Sequence, residues 1–180
     1  MAPAIVLTRL GDTEIYKENT RYCNNSAQLQ GIKIVKFLGP LHFMNRDKFR
    51  EQIDFITGIS VSSDEEEVDQ TGIHTVIIDC SCVSHIDYGG IKELKDCIES
   101  YSEKGIHVEL CCIPQPVEVH ILTIATRSTE FAKYFSAEHM YPTVHDCVCN
   151  ALLRDYDNQK PNEREVLLNG ENGWKIESSV

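Results

Sequence analysis

The chain has 180 residues and a formal net charge of −11, and this length is typical of one domain with at most a tail. Hydrophobic residues make up 42% of the chain and charged residues 25%. This is the composition of a globular protein and not of a collagen, a coiled coil or a wholly disordered chain. Because an acidic chain repels phosphate backbones, nucleic acid is not an expected partner.

Most of the negative charge lies in two polar segments. Residues 60–70 contain five acidic and no basic residues, a net charge of −5, and residues 155–180 contain six acidic and three basic residues, a net charge of −3. The remainder of the chain is therefore nearly balanced. We expect the first segment to be a solvated acidic loop and the second to be a tail.

The apolar segments are too short to cross a membrane. Thr75–Ile78 and Val108–Ile113 are the longest candidates, whereas a span needs roughly 18–20 residues. The first residues also lack the basic leader of a signal peptide. We therefore expect no membrane span in this chain and no route through the secretory path.

Eight cysteines are present, most of them within apolar segments. Neither Cys80/Cys82 nor Cys147/Cys149 has the Cys-x2-Cys spacing that a zinc site prefers. We expect reduced, buried thiols, with no disulfide framework, no metal and no cofactor.

The first third of the chain predicts a hairpin and then a strand. The β-rich run Ala4–Leu10 is followed by the turn Gly11-Asp12 and the short apolar segment Ile15-Tyr16, a pattern typical of two extended pieces joined by a turn. A second β-branched run, Ile32–Leu38, ends at Gly39-Pro40.

The next elements are predicted to alternate between helix and strand. Asn45 is predicted to cap a helix whose apolar positions recur at four and three residues (Phe49, Ile53 and Ile56), with Gly58 as its end. The remaining elements are a buried strand over Thr75–Cys80, a helix from Asp87 to Gly105 with Ile91, Leu94, Ile98 and Tyr101 on one face, a strand over Val108–Ile113, a helix opened by Pro114 and Pro116 that runs to about Ala125, and a helix capped by Thr143 and Asp146 that runs to Leu153. This alternation predicts an α/β fold with a central mixed β-sheet, in which an N-terminal hairpin and parallel strands with right-handed crossovers are flanked by α-helices.

The turn between the strand Thr75–Cys80 and the helix that follows is the most pointed candidate site. A helix start leaves backbone N–H groups unpaired, and glycines allow another group to approach, so this turn can bind an anion or a nucleotide phosphate. The alternative is that Asp87 caps the helix, competing with any phosphate, while the two glycines permit close helix–sheet packing. The candidate residues are Ser84, Asp87, Tyr88, Gly89 and Gly90.

Signals for catalysis are weak. The chain contains no Gly-x-Ser-x-Gly elbow, no Gly-x4-Gly-Lys phosphate loop and no Gly-x-Gly-x-x-Gly motif. Its seven histidines are scattered, and none is paired with a cysteine or carboxylate at a catalytic spacing. We expect no catalytic residues and no enzyme activity.

Two polar segments carry candidate interaction signals. Ser62 and Ser63 are followed three residues later by acidic residues, the pattern that acidophilic kinases accept, although an unmodified linker is an equal alternative. At the end of the chain, Ser178 and Val180 match a ligand that adds a strand to a PDZ domain.

Several segments, taken in order, resemble one family. They are Leu10-Gly11 with Tyr16, Gly31-Ile32-Lys33-Ile34, Pro40-Leu41-His42-Phe43-Met44-Asn45, Val76-Ile77-Ile78-Asp79, Ile86-Asp87-Tyr88-Gly89-Gly90 and Thr143-Val144-His145-Asp146-Cys147-Val148. This order resembles the STAS domain (sulfate transporter and anti-sigma factor antagonist), in the version that forms the cytosolic C-terminal region of eukaryotic sulfate-permease-type (SulP) anion exchangers.

The resemblance implies a domain organisation and a set of partners. Residues 1–154 would be the STAS domain, with a variable acidic insertion at 59–71 typical of the transporter version, and 155–180 a flexible tail. Such a domain lies on the cytoplasmic side of the plasma membrane, beneath a dimeric membrane domain that carries sulfate, chloride, bicarbonate or oxalate and is absent from this chain. It would support transporter assembly, trafficking and regulation as part of a homodimer.

One departure bears on the alternative function, a stand-alone anti-sigma-factor-antagonist-like switch that binds a kinase or nucleotide. In the bacterial antagonists, a serine that follows the aspartate at this turn is phosphorylated. Tyr88 occupies that position here, and a serine kinase does not use a phenol. The departure therefore favours the transporter version.

Overall fold

The computed structural model describes residues 4–18, 26–27, 29–59, 72–136 and 139–159. This part of the chain forms strands and helices in the order β1 Ala4–Leu10, β2 Tyr16–Glu18, β3 Ser26–Ala27, β4 Ile32–Phe37, α1 Arg46–Thr57, β5 Thr75–Asp79, α2 Tyr88–Glu103, β6 His107–Cys111, α3 Gln115–Ala125, α4 Thr129–Ala132, β7 Met140–Tyr141 and α5 Val144–Gln159. Residues 1–148 form one compact unit, and a second begins at Cys149. Among these helices, none has the length and apolar character needed to cross a membrane.

The described strands form one mixed sheet in the order β2-β1-β4-β5-β6-β7, with β3 also paired to β1. β1 is antiparallel to β2, β3 and β4. The pairs β4–β5, β5–β6 and β6–β7 are parallel. This topology confirms the predicted hairpin followed by parallel strands, and the fully buried β5 accounts for its unbroken apolar sequence.

One face of the sheet carries the main core. Alternate residues of the central strands, such as Val35, Val76 and Val108, cluster with buried side chains of α1 to α4. Phe37 at the end of β4 meets Phe49 of α1 edge to face, with ring centroids 5.1 Å apart. The predicted apolar spacing of α1 is confirmed, because its inward side chains belong to this cluster.

The first turns of α5 bury Val144, Cys147 and Val148. The Cys147 thiol lies 4.0 Å from the Leu110 carbonyl oxygen of β6. Thr143 caps this helix as predicted, because its Oγ1 accepts a hydrogen bond from the Asp146 amide at 3.1 Å. These contacts fix the start of α5 beside the carboxyl ends of the parallel strands.

Some details differ from the sequence-based expectations. Asn45 occupies the N-cap position of α1, but its side chain makes no bond to the helix; instead it accepts from the His42 amide at 2.8 Å and donates to the Pro40 carbonyl at 2.8 Å. Helix α5 continues beyond Leu153 to Gln159. β3, β7 and α4 were not predicted, because segments of two to four residues are too short to show a hydrophobic period.

Candidate functional site

The turn before α2 is organised by the Asp87 carboxylate. Asp87 has an extended backbone, and its Oδ1 accepts a hydrogen bond from the Gly90 amide at 2.8 Å. Both of its carboxylate oxygens also accept from the Phe43 amide, at 3.1 and 3.0 Å. One side chain therefore caps α2 and ties it to the loop that follows β4.

These amides keep Asp87 ionised. The hydrogen bond from the Phe43 amide is the main reason that the pKa of the Asp87 carboxyl lies below its ordinary value, and the Gly90 amide acts in the same direction while burial opposes both. The start of α2 thus already holds a negative charge supplied by the chain itself. An incoming phosphate would have to displace this carboxylate from its donors.

Gly90 lies where the backbone comes closest. Leu41 and Ile86 form a parallel bridge, in which the Leu41 amide donates to the His85 carbonyl at 2.9 Å and the Asp87 amide donates to the Leu41 carbonyl at 3.3 Å. A Cβ on Gly90 would overlap the Leu41 carbonyl oxygen. The glycine does allow close packing, but against this bridge and not against the body of a strand.

The remaining predicted residues of the turn face outward. Ser84 is exposed, and Tyr88 is 57% exposed, with its ring centroid 5.8 Å from that of Phe131 in α4. Phe43 and Met44 are 63% and 86% exposed. We call these three exposed residues, Phe43, Met44 and Tyr88, the apolar patch. They lie on two neighbouring segments, since a Cβ on Gly89, the residue after Tyr88, would lie 3.0 Å from the Phe43 Cβ.

A cavity of about 490 Å³ opens elsewhere, between the hairpin, the ends of β4 and β5 and the start of α5. Within it Lys36 Nζ lies 3.4 Å from Asp79 Oδ2. His145 lies 3.0 Å from the Tyr16 hydroxyl through Nδ1 and 3.6 Å from a Glu14 carboxylate oxygen through Nε2. The lining therefore combines basic and acidic side chains with the apolar side chains of Ile5, Leu7 and Val144. The sequence analysis did not predict this cavity. The signal that could have located it is the position of the predicted parallel strands, because clefts form at the carboxyl ends of such strands.

The other predicted site residues lie outside the described residues. These are the kinase candidates Ser62 and Ser63 in the acidic loop and the PDZ-ligand candidates Ser178 and Val180. They stay predictions. So does anion or nucleotide binding at the α2 turn.

Comparison with known proteins identifies the family. The model of the STAS domain family matches residues 25–147. Human sulfate anion transporter 1 is 24% identical over 180 aligned positions, which cover 83% of this chain and 26% of the relative. The chain thus spans about a quarter of that relative's length.

Solved structures agree with the fold. The structure of SLC26A9 superposes with a TM-score of 0.73 at 28% identity, covering 89% of this chain and 25% of that one. The STAS domain of a SulP transporter from Vibrio cholerae has a TM-score of 0.52 at 19% identity and covers 74% of this chain and 91% of its own. The second match supports the fold alone.

Proposed function

The chain belongs to the STAS domain family, and from this premise we propose that it is the cytosolic regulatory domain of a sulfate-permease-type anion transporter. The observation that carries the proposal is the alignment of most of this chain with a quarter of human sulfate anion transporter 1. The membrane domain of the same transporter would be its first partner, on the cytoplasmic side of the plasma membrane. The domain would act by contact and would make or break no covalent bond.

The apolar patch is the surface that we assign to this contact. Exposed clusters of large apolar side chains commonly mark interaction sites. The backbone is held in place at two of its residues, Phe43 and Tyr88. The Asp87 carboxylate binds the Phe43 amide and also caps α2, whose first residue is Tyr88. A displacement of the patch by a bound partner would therefore act directly on α2, a helix that packs on the core.

Regulation would follow from unequal contact with two transporter conformations. A domain that contacts one conformation more favourably shifts the equilibrium towards it, and coupling energies of about 1–3 kcal/mol are usual for such effects. No ligand in the domain is needed for this. The anion would be bound in the membrane domain.

The antagonist-like switch is the less favoured alternative. Tyr88 stands where that mechanism uses a serine, and the Gly90 and Phe43 amides already bond to Asp87. Nucleotide titration followed by amide chemical shifts tests it. Saturable shifts centred on residues 84–90 at micromolar nucleotide would favour the switch over the transporter role.

A chimaera tests the proposed function. Residues 4–154 replace the aligned region of human sulfate anion transporter 1, and surface delivery and sulfate uptake are measured beside the intact relative and a version truncated before that region. We expect the chimaera to show more surface delivery and more sulfate uptake than the truncated protein. A chimaera that behaves like the truncated protein, with its domain folded, would contradict the proposal.

Variants of the patch test the assigned surface within that chimaera. Replacing Phe43 and Met44 by serine should reduce uptake per surface molecule, because the contact loses its apolar area. Phe55→Ser is the matched control, since Phe55 of α1 is 86% exposed and lies outside the patch. Equal effects of the control and the patch variants would remove the assignment of the surface and leave the domain's role intact.

A further inference from the structure

A second cluster of reactive side chains lies at the carboxyl ends of β5 and β6. Asp79 ends β5 and pairs in register with Cys111, which ends β6. Cys112 follows with φ 55°, a left-handed conformation. The result is that a carboxylate oxygen of Asp79 and the Sγ atoms of Cys111 and Cys112 all lie within 4.8 Å of one another.

The cluster is largely removed from solvent. Asp79 and Cys111 are buried, and Cys112 is half-buried. The Cys111 thiol lies 3.7 Å from the Ile78 carbonyl oxygen within the sheet. Buried polar groups gathered in this way form a preorganised set of oxygen and sulfur donors, the kinds of atoms that bind zinc.

The charges of the cluster and of its neighbour Lys36 balance those of one divalent ion. With both thiols ionised, the three side chains carry a charge of −3, and Lys36 Nζ lies 3.4 Å from Asp79 Oδ2. One divalent ion together with this ammonium group gives exact neutrality.

The geometry needs a small contraction. In a tetrahedral zinc site the Zn–S bonds are about 2.3 Å and the Zn–O bond about 2.0–2.2 Å, so donor atoms lie about 3.5–3.8 Å apart. Side-chain rotations that draw the three atoms together by about 1 Å would achieve this. Of the three residues, Asp79 lines the 490 Å³ cavity, so an ion would approach the cluster from the Asp79 side.

We propose that Asp79, Cys111 and Cys112 form a site for one zinc-class divalent ion, whose fourth position opens to the cavity. The cysteine spacing predicted no metal, because it was judged within single segments. The site arises from the register of two parallel strands, which the spacing does not show.

Cadmium is the probe, because its bonds to thiolates give a charge-transfer absorption in the ultraviolet. The full chain is kept reduced with a phosphine and titrated with Cd²⁺, and Zn²⁺ is then added to compete. We expect the absorption to stop rising at one Cd²⁺ per chain and Zn²⁺ to reverse it. An intact, folded chain that gives no such absorption at equivalence would overturn the proposal.

Variants identify the ligands. Cys112→Ser and Asp79→Asn should each weaken Cd²⁺ binding by at least about tenfold, with circular dichroism showing that the fold is kept. The matched control replaces Cys23, Cys82 and Cys149 by serine; Cys82 and Cys149 are exposed, and Cys23 lies outside the described residues. Undiminished binding by folded Cys112→Ser, or loss of binding in the control, would overturn the assignment.

Discussion

Replacing Gly90 by alanine tests the packing of α2, because close packing and helix propensity predict changes of opposite sign in the free energy of unfolding. In an unobstructed helix, alanine is more favourable than glycine by about 1 kcal/mol. In this structure the new Cβ would overlap the Leu41 carbonyl oxygen and lie 2.9 Å from its carbonyl carbon, where ordinary contact begins at 3.4 Å. Because these atoms belong to the backbone, a change of rotamer cannot relieve the overlap.

The expected loss of stability follows from the separation of the two backbone segments that the new Cβ forces apart. Overpacking of a filled site costs about 1–3 kcal/mol. Separating the two segments also weakens the bond from the Asp87 amide to the Leu41 carbonyl, now 3.3 Å, which is worth about 1 kcal/mol. After the helix preference of alanine is subtracted, the variant should be less stable by about 2 kcal/mol, a fall in melting temperature of about 4–8 °C for a domain of this size.

Urea unfolding and thermal melting of Gly90→Ala and Gly89→Ala measure the effect. A Cβ on Gly89 would lie 3.0 Å from the Phe43 Cβ and 3.1 Å from its Cα, contacts that are tight but longer than the closest one at Gly90, so Gly89→Ala should lose less stability than Gly90→Ala. The outcome that refutes the reasoning is a Gly90→Ala protein as stable as the wild type or more stable. A larger loss for Gly89→Ala would refute it equally.

Two further changes test the bonds around α2. Asp87→Ala should reduce the free energy of unfolding by about 1–2 kcal/mol at pH 7, because the cap is lost. Since the folded pKa of Asp87 lies below its ordinary value of 3.8, the stabilisation is complete above about pH 4 and disappears as the pH falls through the folded value, so urea midpoints of the variant and wild type should converge in acid. Tyr101→Phe removes a buried hydroxyl that lies 2.9 Å from Thr57 Oγ1 and 2.8 Å from Asp54 Oδ1, and should cost about 1–2 kcal/mol. The exposed Tyr88→Phe is its control, and equal urea midpoints for the two variants would contradict the assigned role.

Local sequence patterns predicted the elements that define the fold. The unbroken apolar run from Thr75 could be read as a buried strand because both faces of β5 are covered. Asp87 could be read as a cap because the signal lies within four residues of chain. Such features depend on residues that are close in sequence. The apolar periodicity of α1 and α2 was predictable for the same reason.

Features that join distant segments could not be predicted in this way. The cap residue Asp87 also binds the Phe43 amide, 44 residues away. No sequence pattern near Phe43 indicates that its amide has this partner. The Asp79–Cys111 pair depends on the register of β5 against β6. The prediction that Asn45 caps α1 failed for a local reason, because the chain path before the helix offers its side chain the His42 amide and the Pro40 carbonyl, three and five residues away.

The outermost described strands of the sheet are brief. β2 has three residues and β7 only two, so each of these two strands presents only a few backbone groups in line at its outer edge. Long exposed margins act as templates onto which another chain adds by β-augmentation, and short ones suppress this. A protein that docks on these margins would gain little from main-chain bonding, so its recognition should depend on side chains and therefore respond to single substitutions.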